Sequence, residues 1–304
     1  MRIIITGGTG FIGTELAASL IQDGHEVIAL SRDPDRQRTV MHANVHLVKW
    51  DARTAAGWGD LADGADAIVN LAGENIGAGR WTRQRKQAII QSRFDAGKAV
   101  VEAVANASSK PGVVIQSSGV DYYGIHAEEI ITEEHPPGDN FLSETCRIWE
   151  EATFPIEKLG VRRVVYRGAV VLSLEGGALS RILLPYRFFA GGPLGSGNQW
   201  FSWIHIQDQI AAMRFLIENS HSSGVYNLCS PYPLQNKDLA RTIGRVMGRP
   251  SIIPVPAFAI RLIFGEMAMT VLGGQRVVSL KLLKDGFNFT FPKVEQALHE
   301  LVGR

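Results

Sequence analysis

The chain opens on Arg2-Ile3-Ile4-Ile5-Thr6, a short apolar run, and passes at once into Gly7-Gly8-Thr9-Gly10-Phe11-Ile12-Gly13. Leu16, Ala17, Leu20 and Ile21 follow at helical spacing. The unbroken apolar run suits a parallel strand covered on both faces. Gly7 permits a tight turn, Gly10 lets the backbone come close to a ligand, and Gly13 lets the helix press on the strand. Gly24-His25 ends the helix, and Glu26 to Ser31 reads as the next strand. A strand, glycine turn, helix and second strand in this order form the unit that binds a dinucleotide, with its pyrophosphate on the free N–H groups of the helix start. A bare strand-to-helix turn would also use glycine, but the surrounding pattern favours a cofactor held by Gly7, Thr9, Gly10, Phe11, Ile12 and Gly13.

The end of the second strand selects among cofactors. An NAD site places Asp or Glu there for the ribose hydroxyls. This chain has Ser31-Arg32, with Asp33 one position late. A guanidinium beside a small hydroxyl suits a 2′-phosphate, so NADP is expected.

Bulk composition narrows the function classes. Across 304 residues, 31 Lys and Arg nearly balance 30 Asp and Glu, so no global field recruits nucleic acid or an anionic membrane. Cys146 and Cys229 make neither a disulfide framework nor a metal site; they fit core packing in a reducing, cytoplasmic setting. No apolar stretch reaches membrane-spanning length, and the first strand is needed by the fold, so no cleaved signal is expected. The expected partner is a small-molecule substrate, and the sequence leaves the oligomeric state open, a homodimer being one option.

Further strands are expected at His46–Trp50, Asp66–Asn70, Val113–Ser117, Arg163–Tyr166 and Val225–Cys229. Helices are expected over 82–107, 140–159, 206–219, 237–247, 258–264 and from 293 onward. In the first of these, Ile90, Phe94, Val101 and Val104 read as the inward stripe. Strands alternating with helices imply an α/β fold, a Rossmann-type doubly wound parallel sheet with a smaller C-terminal α/β lobe. Past Arg167 glycine and proline become frequent and the chain reads as irregular loop. The expected division is a cofactor domain over 1–170, to which part of 200–230 returns, and a substrate or lid lobe over 171–304. The ligand crevice lies beyond the strand C-termini.

Gly7–Gly13, Asn70-Leu71-Ala72-Gly73 and Trp203-Ile-His-Ile-Gln-Asp208 resemble the extended short-chain dehydrogenase/reductases. More narrowly, Gly73-Glu-Asn-Ile76, Arg80-Trp81, Gly191–Gly197, Gly273-Gly-Gln-Arg276 and the segments at Pro254 and Phe264 are similar to an atypical "epimerase family protein" branch with its own C-terminal domain, over essentially the whole chain. The resemblance implies an NADP(H)-dependent oxidoreductase or isomerase. Leu71 and Ala72 then pack near the adenine or ribose. Arg93 reaches the phosphorylated adenosine end, and Val170 borders the nicotinamide.

The wider family moves its proton with a Tyr and a Lys four residues later. Aligned on Glu150, those positions hold Leu142 and Cys146, and no Tyr-x-x-x-Lys occurs nearby. The expected substitutes are Ser118 at the end of the fifth strand and Tyr123 on the pocket rim. Either the chemistry is rebuilt on such residues or the chain is a catalytically silent NADP(H) sensor. His205 and Asp208 read as scaffold, and Glu74 as a base or a ribose ligand. Trp200, Phe201 and Trp203 replace the arginine that holds a nucleotide diphosphate in the epimerases. They read as an aromatic wall unsuited to a UDP-sugar, or as core. Arg80, Arg83, Arg85 and Lys86 form a basic group at a helix start, where they oppose the helix dipole and a nearby anion would help them; the plainer reading is a solvated face.

Overall fold

The computed structural model describes residues 1–39 and 41–303. Five strands follow in chain order: β1 (Arg2–Thr6), β2 (Glu26–Ser31), β3 (His46–Lys49), β4 (Ala67–Asn70) and β5 (Val113–Gly119). With strands Arg162–Gly168 and Gly224–Leu228 they make one parallel seven-stranded sheet. From one edge the order is β3, β2, β1, β4, β5, 162–168, 224–228. The order reverses between β1 and β4, so their C-terminal ends open a crevice at the switch point.

The apolar run of β1 explains its central place. Ile3 and Ile5 face one layer, with Leu16 and Leu20 of helix α1 (Phe11–Gln22). Ile4 faces the other, with Ile68, Val100 and Val104. Helix Ile206–Glu218 packs beside α1, and its strand Gly224–Leu228 completes the sheet. A further cluster, with Leu183, Tyr186, Trp203, Leu239 and Leu298, is the core of the C-terminal lobe.

Three local expectations change. The long helix Arg83–Asn106 buries Ile89, Arg93, Ala96, Gly97, Val100, Ala103 and Val104, while Phe94 is exposed. Small residues let this helix sit close: a side chain at Gly97 would meet Ala152. The inward stripe is thus rotated from the bulky residues that periodicity singles out. The helix expected over 140–159 divides into Phe141–Glu151 and Pro155–Lys158. The segment past Arg167 is less irregular than its composition suggests, holding strand Val170–Leu172 and helix Leu179–Arg187. No helix among the described residues is long and apolar enough to cross a membrane.

Candidate functional site

The glycine turn occupies the switch point. Gly7 has φ of +64°, and a side chain there would strike Leu71 and Ala72 backbone atoms at 3.0 Å. The first and fourth βα turns therefore touch, which brings Gly7, Leu71 and Ala72 to one place. A Cβ on Gly13 would lie 2.7 Å from backbone atoms of both Gly7 and Gly8. Gly13→Ala is expected to push α1 off the turn and cost about 1–3 kcal/mol, read as a lower urea midpoint; an unchanged midpoint would show that the helix can shift freely. Gly10 caps α1 and is exposed, while Thr9, Phe11 and Ile12 are partly buried. The Gly176-Gly177 loop lies against the Phe11 ring.

Beneath the crevice the strand ends are tied by a buried polar chain. Thr6 Oγ1 donates to Asn70 Oδ1 (2.5 Å), Asn70 Nδ2 to Gln116 Oε1 (2.8 Å), and Gln116 Nε2 to the Ser117 carbonyl (2.6 Å). These bonds link β1, β4 and β5 where a cofactor would lie across them, and full satisfaction makes such a chain rigid.

At the end of β2, Ser31 is buried and Arg32 reaches into solvent. Asp33 caps the turn at Pro34 by accepting from the Arg36 N–H at 3.2 Å. Arg32 Nη1 lies 3.4 Å from Glu74 Oε1, and Arg85 Nη1 lies 3.0 Å from Glu74 Oε2. Glu74 is thus neither a free base nor a free ribose ligand; it is clasped by two guanidiniums.

Arg93 is buried below this clasp. Its Nη1 donates to the carbonyls of Glu74 (3.0 Å) and Ile89 (3.1 Å), and its guanidinium lies 4.6 Å from the Trp149 ring centre. Burial lowers its pKa, with Cys146 and Glu74 opposing. Arg93 packs against Gly73, so it fixes the β4 turn from beneath. Val170, just past strand Arg162–Gly168, is partly buried and pairs with Trp203.

The expected acid–base residues sit differently. Tyr123 is not on a rim: it is fully buried, and its hydroxyl donates to Asn227 Oδ1 at 2.6 Å. Burial raises its pKa, against the opposing pull of Arg167. Its own sequence neighbourhood gives no sign of this, because Asn227 is 104 residues away. Ser118 is buried and donates to Glu150 Oε1 at 2.7 Å. Glu150 also accepts both Nε and Nη2 of Arg167, at 2.8 and 2.9 Å.

Leu142 and Cys146 both face inward from helix Phe141–Glu151. Leu142 clusters with Trp81 and Ile89, and Met267 and Met269 of the C-terminal lobe pack against this cluster. Burial, with Asp121 and Glu150 nearby, pushes the Cys146 thiol up to about 12.

Asp121, which sequence reading passed over, stands at this point. It follows β5 and is partly buried, and among the described residues no other residue donates a hydrogen bond to its carboxylate. Burial raises it to about 6. Its Oδ2 and the Cys146 sulfur flank the same face of Gly119.

The C-terminal lobe contacts the start of the long helix Arg83–Asn106 and the segment before it. Arg80 donates to the carbonyls of Leu262 and Ile263 at the end of helix Ala257–Phe264, and Lys86 pairs with Glu266. Arg80, Arg85 and Lys86 are therefore committed to partners and not simply solvated. An open pocket of about 480 Å³ is formed by this segment and Ile125, bordered by Arg261, Glu266, Met269 and Leu272. Trp203 is fully buried in the lobe core, while Trp200 stacks with Arg276 at 4.5 Å; the aromatic triplet is thus part core and part wall. His205 Nε2 meets Glu300 at 2.9 Å, and Asp208 accepts from the backbone of Thr290 and Phe291. Both are scaffold contacts that anchor the C-terminal segment.

Residues 3–145 match the NAD dependent epimerase/dehydratase family, and residues 255–301 match a domain of unknown function, DUF1731. Epimerase family protein YfhF of Bacillus subtilis is 40% identical over 99% of this chain and 98% of its own length. The human epimerase family protein SDR39U1 is 37% identical over 99% of this chain and all of its own. A crystal structure of human SDR39U1 with NADPH matches with a TM-score of 0.90 at 36% identity, covering 99% of both chains. UDP-glucose 4-epimerase from Thermotoga maritima, solved with UDP-glucose, shares the fold at 15% identity (TM-score 0.81, 99% of this chain and 97% of that one). The chain belongs to the epimerase family proteins, the branch of the NAD dependent epimerase/dehydratase family that carries DUF1731 at its C-terminal end.

Proposed function

We propose that the protein binds NADP(H) across the β1/β4 switch point and uses it as an oxidoreductase or isomerase on a small molecule. The contact of the Gly7 turn with Leu71-Ala72, beside Ser31-Arg32, carries this reading. In it, Gly7, Thr9, Gly10, Phe11, Ile12 and Gly13 receive the pyrophosphate on backbone N–H groups. Ser31 and Arg32 receive the 2′-phosphate. Leu71 and Ala72 flank the adenosine, Arg93 fixes that wall, and Val170 borders the nicotinamide. NADPH bound to the similar human protein supports the choice of cofactor. When bound, the cofactor supplies the hydride.

Proton transfer falls to Asp121 in this reading. Ser118 and Tyr123, whose hydroxyls are engaged by Glu150 and Asn227, support the wall on which Asp121 stands. A carboxyl raised toward neutrality can both give and take a proton at working pH. The substrate is then a small molecule with an oxidisable hydroxyl or reducible carbonyl, held under the lobe.

The filled Leu142 position favours a second reading, a cofactor sensor without turnover. Both readings share one test. NADPH is expected to raise the thermal midpoint of the protein. Arg32→Ala should weaken NADPH by about tenfold, the loss of one charge-assisted contact, and leave NADH nearly unchanged. Equal losses for both would overturn the cofactor assignment. NADPH oxidation with a panel of small aldehydes, ketones and quinones separates enzyme from sensor.

A further inference from the structure

One carboxylate, Glu74, bridges two guanidiniums that come from different elements. Arg32 approaches one oxygen from the end of β2, and Arg85 approaches the other from the first turn of the long helix. The two arginines are 53 residues apart and, among the described residues, share no other hydrogen-bond partner. A second bond, from Arg85 Nη2 to the Asn75 carbonyl, fixes the Arg85 fork. Cations in the first turn of a helix oppose its dipole, so an anion is needed to hold Arg85 there.

We propose that Arg85 is the second guanidinium of the 2′-phosphate site, and that Glu74 is a built-in stand-in for that phosphate. The inference rests on the NADP(H) reading above. A phosphate monoester presents oxygens at nearly the spacing of a carboxylate, and both are bound by the same guanidinium fork. The geometry that lets Glu74 span Arg32 and Arg85 therefore lets a phosphate span them too. The clasp is partly open to solvent, with Arg32 the most exposed of the three. Binding of the phosphorylated ribose requires Glu74 to give up at least one guanidinium, because a carboxylate and a phosphate between the same two cations repel. Glu74 thereby sets the affinity from within: it pre-positions the cations and competes with the ligand. A ribose without the 2′-phosphate gains nothing from displacing it, so the competition bears on NADPH alone.

Two variants, compared by calorimetry with NADPH and NADH on the full chain, test this. Arg85→Gln removes the charge and shortens the side chain while keeping it polar. It should weaken NADPH about tenfold and change NADH less than twofold. Glu74→Gln removes the competing charge and should tighten NADPH about threefold, a direction that loss of a mere structural prop would not produce. Equal losses for both cofactors in Arg85→Gln, no change in it, or weaker NADPH binding in Glu74→Gln would each overturn the proposal. Failure of the unsubstituted protein to bind NADPH would remove the cofactor reading together with it. Thermal midpoints of both variants without cofactor establish that each is folded.

Discussion

Glu150→Ala is expected to remove about 3–5 kcal/mol of stability, measured by urea unfolding at neutral pH. Glu150 and Arg167 form a two-pronged pair whose side chains are only 11% and 4% exposed. Burial by itself would lower the arginine's pKa, but hydrogen bonding and attraction to Glu150 outweigh it and hold Arg167 above its ordinary value. The guanidinium also lies flat over Tyr122, 3.3 Å from the ring centre. Without Glu150 a buried cation keeps its desolvation cost and loses its anion, and the Ser118 hydroxyl loses its acceptor. Most of the penalty comes from the orphaned charge and little from the pair's own net strength. A double replacement, Glu150→Leu with Arg167→Met, should therefore recover much of what Glu150→Ala loses. A loss below about 1 kcal/mol in the single variant would mean that water reaches the guanidinium and that the pair does not hold this wall. Glu150 ties helix Phe141–Glu151 to the end of β5 through Ser118 and to strand Arg162–Gly168 through Arg167.

The pieces of the fold that were legible in sequence are those fixed by neighbouring residues. An apolar run, a glycine turn and helical spacing are local signals, and each produced the expected element in the sheet. The burial of Leu142 was not legible, because the cluster it joins is completed by Met267 and Met269, more than 120 residues later. Tyr123 was misplaced for the same reason: a tyrosine beside a glycine suggests a rim, and only Asn227 reveals that the ring points into the core. The stripe of the long helix was read from bulk, whereas the close approach at Gly97 rewards small side chains. Arg85 and Asp121 were hidden for opposite reasons. Arg85 was lost within a basic group that reads as surface. Asp121 was passed over because an isolated acid after a strand carries no motif, and its significance lies in the donor it lacks.

Asp121→Asn should make the protein more stable at neutral pH and less active. The carboxyl rises from its ordinary 3.8 to about 6, and burial is the cause. Between those values the folded protein keeps a proton that the unfolded chain has released, so stability falls as pH climbs through the window and the cost is complete above it. Two units correspond to nearly 3 kcal/mol; partial exposure reduces this to about 1–2 kcal/mol. Asparagine resembles the protonated acid in shape and never ionises. The variant should thus gain about 1–2 kcal/mol near pH 7.5, and the gain should vanish only below about pH 3, where the carboxyl is protonated in the folded and the unfolded chain alike. The surrounding groups do not reverse the sign, since the Cys146 thiol stays protonated through this range. If Asp121 carries the proton beside the cofactor, any NADPH-linked turnover should drop at least a hundredfold in the same variant, the usual size of a lost general acid–base group. A residue that costs stability and supports turnover is one held in place for its chemistry. A stability gain with unchanged turnover would remove Asp121 from the reaction, and no gain at neutral pH would show that water already solvates the carboxylate.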